Sequence, residues 1–259
     1  MYTIGIDIGS TTSKCVILKD GADIVSKSLL LGGIGTAAPA RSFSESLEAA
    51  GLKETDLNAS AATGYGRNRW EGADYQISEL SCHALGAHHL FPDVRTIIDI
   101  GGQDAKVMAL NSKGRMQNFI MNDKCAAGTG RFLDVMALVL QTPVSEFGRL
   151  AAGSAEHARI SSTCTVFAES EVISQLANGV GLQDLVAGIC DSVAARVASQ
   201  AKRLDIKPGI CMTGGVAMNG GVLKALEKEL NAEISVSPLA QYMGAIGAAL
   251  YAYEKAVQN

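Results

Sequence analysis

The chain is poor in aromatic residues and in proline. Of its 259 residues only 5% are aromatic and 5 are proline, while 47% are hydrophobic and 28 are glycine. The hydrophobic content is therefore mostly aliphatic, and this composition excludes a disordered or collagen-like chain. The formal net charge of −4 gives no broad basic surface, so we expect no nucleic acid partner.

Signals for membranes and for secretion are also missing. No apolar run reaches the roughly 18 residues that suggest a membrane span, and the first residues predict a strand without a basic region or a cleavage site. We therefore expect a cytoplasmic protein with no membrane partner. In that reducing compartment the 6 cysteines are expected to be thiols, metal ligands or core residues rather than disulfides.

An internal repeat indicates two related halves. Asp-Ile-Gly begins at Asp7 and again at Asp99, each time at the end of a predicted strand, and Lys14 and Lys106 stand seven residues further on. Each copy is predicted to be a strand, a glycine turn and a second strand. The expected subdomains are residues 1–93, completed by a C-terminal helix over 244–259, and residues 94–243.

The rest of the second half is predicted to be mostly helical. Apolar residues at helical spacing mark helices around Phe132, Val172 and Val186, whereas Ile210–Thr213 predicts a strand. That strand runs into a third glycine turn at Gly214-Gly215. Strand and turn together extend the pattern of the two repeat copies.

The three glycine turns predict a nucleotide site. Backbone N–H groups bind phosphate, and glycine lets the backbone approach the anion closely. A single glycine turn is commonly only a turn, so the prediction depends on three occurring together. The sequence contains neither a P-loop nor a Rossmann fingerprint. The candidate phosphate- and nucleotide-binding residues are Ser10, Thr11, Thr12, Ser13, Lys14, Gly101, Gly102, Gln103, Gly214 and Gly215.

Charged and amide side chains beside these turns add catalytic candidates. Asp7 and Asp99 are predicted to hold Mg²⁺ through water, because Mg²⁺ keeps several waters and uses few protein ligands. Lys14 would neutralise phosphate charge. Gln103 and Asp104 are the candidate catalytic residues, and Gln103 would orient the γ-phosphate or the attacking water.

Three motifs carry a resemblance to a known family. Met121–Phe132 (MNDKCAAGTGRF), Ser161–Glu171 (SSTCTVFAESE) and Glu79–His83 (ELSCH) are similar to the activators (component A) of 2-hydroxyacyl-CoA dehydratases, which are BadF/BadG/BcrA/BcrD-type ATPases. The glycine turns resemble those of the wider acetate kinase–sugar kinase–Hsp70–actin superfamily. The resemblance implies an α/β chain with a duplicated ribonuclease H-like, actin-like ATPase fold. It has two subdomains with mixed sheets flanked by helices, and ATP in the cleft.

A function follows from the resemblance. Such activators are homodimers that share one [4Fe–4S] cluster and take one electron from reduced ferredoxin or flavodoxin. Binding and hydrolysis of ATP drive that electron into the dehydratase (component D), which removes water from a 2-hydroxyacyl-CoA such as 2-hydroxyglutaryl-CoA. By matching position, Cys125 and Cys164 would be the cluster ligands, and Gln241 would contact ATP or ADP.

The cysteines taken by themselves leave alternatives open. A cubane cluster takes four thiolates, so two cysteines per chain supply half a site that a two-fold dimer completes. Their spacing is no metal signature and by itself favours buried core thiols, and four thiolates also suit zinc. The other cysteines are expected to pack in the interior or to have no metal role; they are Cys15, Cys82, Cys190 and Cys211.

Both cluster candidates are predicted near helix N-termini, where unpaired amides and the positive end of the helix dipole stabilise a thiolate. The hydroxyl residues Ser161–Thr163 suit an N-cap before Cys164. Glu169 and Glu171 would either place favourable charge in the first turn or link the nucleotide to the cluster. Two other functions remain: a small-molecule kinase of the same fold, and a nucleotide-gated assembly protein without a cluster.

Overall fold

The computed structural model describes residues 1–161 and 164–258. They divide into two compact units. The first comprises Met1–Asp93, Leu110–Met116 and the residues from Gln241 onward, and the second comprises Val94–Ala109 and Gln117–Ala240. The elements in chain order are β1 (Tyr2–Ile8), β2 (Thr12–Lys19), β3 (Asp23–Leu31), α1 (Ala38–Ala50), β4 (Ala59–Thr63), β5 (Tyr75–Gln76), α2 (Glu79–Leu90), β6 (Thr96–Ile100), β7 (Ala105–Leu110), β8 (Met116–Asn122), α3 (Gly130–Val139), α4 (Phe147–Ala152), α5 (Thr165–Ala177), α6 (Leu182–Arg203), β9 (Ile210–Thr213), α7 (Gly220–Leu230), β10 (Ile234–Val236) and α8 (Met243–Gln258).

The two units contain sheets of the same topology. The strand orders are β3-β2-β1-β4-β5 and β10-β9-β6-β7-β8, so the second list read backwards matches the first. In each sheet the central strand pairs antiparallel with the strand that follows it, and parallel with a strand that arrives after a crossover. The predicted duplication and the α/β class are confirmed.

Aliphatic side chains fill both interiors, as the scarcity of aromatic residues implies. In the first unit Ile4, Ile6 and Ile8 of β1 pack with Leu47 of α1. In the second unit the core is built around α6, and it includes the fully buried Phe132. Burying each such side chain contributes about 1.5–3 kcal/mol. Over the described part of the chain, every helix is either too short or too polar to cross a bilayer.

The remainder of the second unit is mostly helical, and it also contains two strands that the sequence does not predict. β8 and β10 lie at the two edges of the second sheet. β10 has only three residues, and β8 (MQNFIMN) is largely exposed, so neither carries the continuous apolar run of a buried strand. An edge strand is recognised through its partner, which the sequence pattern does not reveal.

Candidate functional site

In each copy of the repeat, a buried aspartate near the end of the first strand is paired with a lysine on the second strand. Asp7 on β1 lies opposite Lys14 on β2, with Lys14 Nζ 3.2 Å from Asp7 Oδ2. Asp99 on β6 lies opposite Lys106 on β7, again with 3.2 Å between Nζ and Oδ2. The tight turn explains the sequence spacing, because the chain returns antiparallel and brings the lysine back beside the aspartate.

The two lysines differ in their surroundings. The Lys106 side chain is only 2% exposed, and its Nζ also lies 2.9 Å from Asp104 Oδ2. Asp99 Oδ1 accepts a hydrogen bond from the Thr213 hydroxyl at 2.8 Å. The Lys14 side chain is 14% exposed and pairs with Asp7. Lys106 therefore pairs with two carboxylates in the interior, whereas Lys14 is partly exposed, as a contact with phosphate requires.

The third glycine turn lies beside Asp99 in the second unit. β9 runs parallel to β6 in register, so both strands end at the same edge of the sheet. Gly214 has φ +84°, and a Cβ there would lie 2.9 Å from Asp99 Oδ1 and would collide with the Ile100 carbonyl. Only glycine fits this position. The structure therefore brings the Gly101 turn and the Gly214 turn together, and Gln103 is exposed between Gly102 and the buried Asp104.

The corresponding turn of the first unit is closed by its own backbone. Gly9 N–H donates to the Thr12 carbonyl at 3.0 Å. Ser13 is buried, and its hydroxyl donates to the Gly32 carbonyl at 2.8 Å. Thr11 is exposed, and Ser10 and Thr12 are half-buried. Gln241, also half-buried, belongs to this unit and lies in a short 3₁₀ turn before α8.

The start of α3 is hydrogen-bonded to the Gly101 turn. Gly130 N–H donates to the Gly101 carbonyl at 2.9 Å, and Arg131 N–H donates to the Gly102 carbonyl at 2.8 Å. A helix leaves its first four N–H groups without helical partners, and here two of them join the helix to the turn. A Cβ at Gly130 would lie 3.0 Å from the Gly101 oxygen and 3.3 Å from Gly102 Cα, so a larger residue would press on this contact.

The 6 cysteines fall into two groups by burial. Cys125 and Cys164 are half-buried, and the other four are buried. Desolvation by burial raises the pKa of each buried thiol to about 12, which keeps it protonated at neutral pH. These four are Cys15, Cys82, Cys190 and Cys211. A protonated, buried thiol is a poor metal ligand, so the accessible pair is the candidate set.

Cys164 is the N-cap of α5, with extended backbone dihedrals. Ser162 and Thr163, among the predicted cap residues, lie outside the described residues. The first-turn interpretation of the glutamates is wrong, because α5 begins at Thr165 and its first turn contains no acidic residue. Glu171 lies in the second turn, and its Oε2 accepts a hydrogen bond from Ser161 N–H at 2.6 Å. It therefore fastens the segment before Cys164 to the helix.

Cys125 lies in the loop between β8 and α3. Because α3 begins at Gly130 with Thr129 as its N-cap, Cys125 is not at a helix N-terminus, and that expectation is corrected. The loop is held by Asn122, whose side chain makes hydrogen bonds with Cys125 and with Ala127.

Lys106 and Asn122 are site residues without a predicted role. For Lys106 the signal is present in the repeat, since it matches Lys14 in spacing. For Asn122 the sequence carries no comparable signal, because its partners are backbone groups and the strand that it ends, β8, is not predicted from the sequence.

The duplicated sheet with an aspartate turn in each half defines an actin-like ATPase fold. A ROK family glucokinase from Streptomyces griseus, 15% identical, superposes with a TM-score of 0.62, covering 98% of this chain and 100% of that chain. The pattern of the BadF/BadG/BcrA/BcrD ATPase family matches residues 4–252. The chain belongs to this family.

Two characterised relatives are much more similar. The (R)-2-hydroxyglutaryl-CoA dehydratase activating ATPase of Acidaminococcus fermentans is 61% identical, covering 100% of this chain and 99% of that protein. The structure named as component A of that dehydratase has a TM-score of 0.97. The activator of the 2-hydroxyisocaproyl-CoA dehydratase from Clostridium difficile, solved with bound ADPNP, is 53% identical with a TM-score of 0.97, covering 100% of this chain and 96% of that chain.

Proposed function

We propose that this chain is an ATP-dependent activator of a 2-hydroxyacyl-CoA dehydratase. It takes one electron from reduced ferredoxin or flavodoxin and passes it to the dehydratase (component D), while ATP is hydrolysed to ADP and phosphate. The dehydratase then removes water from its substrate. We propose 2-hydroxyglutaryl-CoA as that substrate, because the relative named for it is 61% identical over the full chain.

ATP and Mg²⁺ are assigned to the glycine turns. Backbone N–H groups of Ser10–Ser13, Gly101–Gln103 and Gly214–Gly215 would bind the phosphates, with Lys14 as the neutralising cation and Gln241 as a further nucleotide contact. Carboxylate oxygen is the ligand type that Mg²⁺ prefers, and Asp7 and Asp99 are each held in place by a lysine, so their chemistry fits a water-mediated ion. Gln103 and Asp104 would orient the γ-phosphate and the attacking water.

The accessible cysteines fit half of a [4Fe–4S] site. Such clusters take thiolate ligands, and Cys125 and Cys164 are the half-buried thiols of the chain. When bound, the cluster would supply one-electron transfer at low potential. A second copy of the chain would contribute the other two thiolates in a two-fold dimer.

A dimer face is proposed beside Cys164. On α5, Val166, Phe167 and Ile173 are 65%, 67% and 52% exposed. Large apolar side chains exposed together mark interaction surfaces in proteins that otherwise bury them. Because the face begins two residues after Cys164, contact between two copies would bring the two Cys164 side chains towards each other.

The observation that carries the proposal is the hydrogen-bonded connection between the Gly101 turn and α3. When γ-phosphate is lost, contacts to that turn change, and loops ordered by γ-phosphate are a known form of nucleotide switch. Gly130 and Arg131 bond directly to Gly101 and Gly102, so α3 would follow the turn. Cys125 is five residues before Gly130, which ties the nucleotide state to a cluster ligand.

Anaerobic purification with iron and sulfide analysis tests the cluster. We expect about four irons per dimer, and we expect Cys125→Ser and Cys164→Ser each to abolish them. Cys190→Ala, at a buried thiol, is the matched control and should retain the iron. A colourless wild-type protein that holds zinc and hydrolyses ATP normally would contradict the proposal.

Nucleotide binding is tested separately. Lys14→Ala should weaken ATP binding while the iron content stays at the wild-type level. The wild-type protein should release phosphate from ATP without a sugar or carboxylate acceptor, and it should restore activity to inactive dehydratase when reduced ferredoxin is present. Phosphate transfer to an acceptor would favour the small-molecule kinase instead.

A further inference from the structure

Asn122 makes three side-chain hydrogen bonds around Cys125. Its Oδ1 accepts from Cys125 N–H at 3.2 Å, and its Nδ2 donates to the Cys125 carbonyl at 2.8 Å and to the Ala127 carbonyl at 3.2 Å. The partners fix the orientation of the amide, because the opposite one would face oxygen towards two carbonyls. The carboxamide thus uses both of its functions, as donor and as acceptor.

These bonds act where regular structure is absent. Residues 123–129 lie in neither a helix nor a strand, and the Thr129 N–H and hydroxyl both return to the Ala126 carbonyl. Gly128 has φ +82°, which turns the chain towards α3. Asn122 therefore holds the backbone at both the N–H and the carbonyl of Cys125, where no helix or strand does so.

Neither aspartate nor alanine at position 122 could make the same hydrogen bonds. Aspartate keeps an acceptor for Cys125 N–H but has no N–H to donate, and it directs a carboxylate at the carbonyl oxygens of Cys125 and Ala127. Alanine removes all three hydrogen bonds. Polar backbone groups that lose their partners favour rearrangement of the loop.

We propose that Asn122 is a positioning residue for Cys125, and that the position requires a carboxamide. The inference rests on the proposed role of Cys125 as a cluster ligand. In the chain without metal, Asn122 would keep Cys125 in the position in which it binds the cluster. Cys125 then lies between two anchors. Asn122 holds its own backbone, and the bonds of Gly130 and Arg131 hold the start of α3.

The test measures alkylation of the chelator-treated, reduced protein by iodoacetamide, with mass spectrometry at each cysteine. In Asn122→Ala we expect Cys125 to react about tenfold faster than in the wild type, since lost hydrogen bonds of this kind shift a local equilibrium by that order. Asn122→Asp should behave like the alanine variant. The Cys164 rate, measured in the same sample, should stay unchanged.

Asn118→Ala is the matched control. Asn118 is exposed on the same strand, four residues earlier, and its Oδ1 accepts from the adjacent Phe119 N–H. ATP binding and the thermal midpoint report that each variant folds. In the iron-loaded protein, Asn122→Ala and Asn122→Asp should lose iron to a chelator faster than the wild type, and Asn118→Ala should not.

Wild-type Cys125 alkylation in both Asn122 variants would overturn the inference. Wild-type behaviour of Asn122→Asp alone would overturn the requirement for a carboxamide. A wild-type protein that binds no iron would instead refute the proposed cluster, and the alkylation rates would still decide whether Asn122 fixes the loop. The two failures are therefore distinguishable.

Discussion

Lys106 is a buried cation of the second unit that contacts two carboxylates. Its ammonium pairs with Asp99 at 3.2 Å and Asp104 at 2.9 Å, and the lysine side chain is 2% exposed. Removing one partner of a buried ion pair leaves charge without compensation, which costs about 3–5 kcal/mol. With the cation gone, two carboxylates that face one buried point would also repel each other.

We therefore predict that Lys106→Met lowers the thermal midpoint strongly and lowers kcat for ATP hydrolysis, because Asp99 and Asp104 are no longer held. Lys14→Met is the matched control from the other half of the repeat. It should cost less stability, since Lys14 is more exposed and pairs with Asp7, and it should mainly raise KM for ATP. Lys106→Arg should recover part of the stability. Equal midpoints for the two methionine variants would contradict this account.

The sequence predicts that each lysine pairs with an aspartate, but it does not predict that Lys106 is more buried than Lys14 and contacts a second carboxylate. The seven-residue spacing of Asp7–Lys14 and Asp99–Lys106 is visible in the repeat. The second carboxylate on Lys106 depends on the way the turn folds Asp104 back, which no spacing rule describes. The same limit applies to Asn122, whose partners are backbone groups and have no signature of their own.

At the scale of elements, the segment that leads to Cys164 is fastened to α6. Asp184 Oδ1 accepts hydrogen bonds from the Ser154 hydroxyl at 2.6 Å and from Ala155 and Glu156 N–H at 3.2 Å each. Its backbone carbonyl accepts from Ala158 N–H at 3.0 Å. The Ser154 hydroxyl and the backbone N–H groups lower the pKa of Asp184 below its ordinary value of 3.8.

This shift predicts a pH-dependent contribution of Asp184. Because the pKa is lower in the folded chain, the stabilisation is fully present above pH 3.8 and is lost as the pH falls through the folded-state value. The melting temperature of the wild type should therefore exceed that of Asp184→Asn at pH 6, and the difference should shrink as the pH falls below 3.8. A constant difference across this range would contradict the prediction.

Elements with a strong apolar pattern are predicted well, and elements defined by a neighbour are not. β1, β6 and α6 have continuous buried positions or helical periodicity, and the sequence locates them. β8 and β10 are edge strands that depend on β7 and β9 for their hydrogen bonds. The hydroxyl residues Ser161–Thr163 predict a cap before Cys164, whereas the cap of α5 is Cys164 itself, so the predicted start is too early.

For the whole molecule, the proposal makes the iron content depend on association of two chains. One chain offers two half-buried thiols, and a cubane cluster takes four. The apolar face of α5 supplies a surface on which two copies could associate around Cys164. A substitution on that face should therefore abolish iron binding even though every cysteine and every glycine turn is unchanged.

We predict that Phe167→Asp yields a monomer that lacks iron and still binds ATP, because a charge on this face would have to be desolvated in the dimer. Sedimentation under anaerobic conditions and iron analysis measure the outcome. Leu31→Asp is the control, since Leu31 is 88% exposed on β3 of the other unit; it should remain dimeric with full iron. A Phe167→Asp protein that is dimeric and fully loaded would remove α5 from the interface, and a monomer that keeps its iron would show that one chain supplies the whole site.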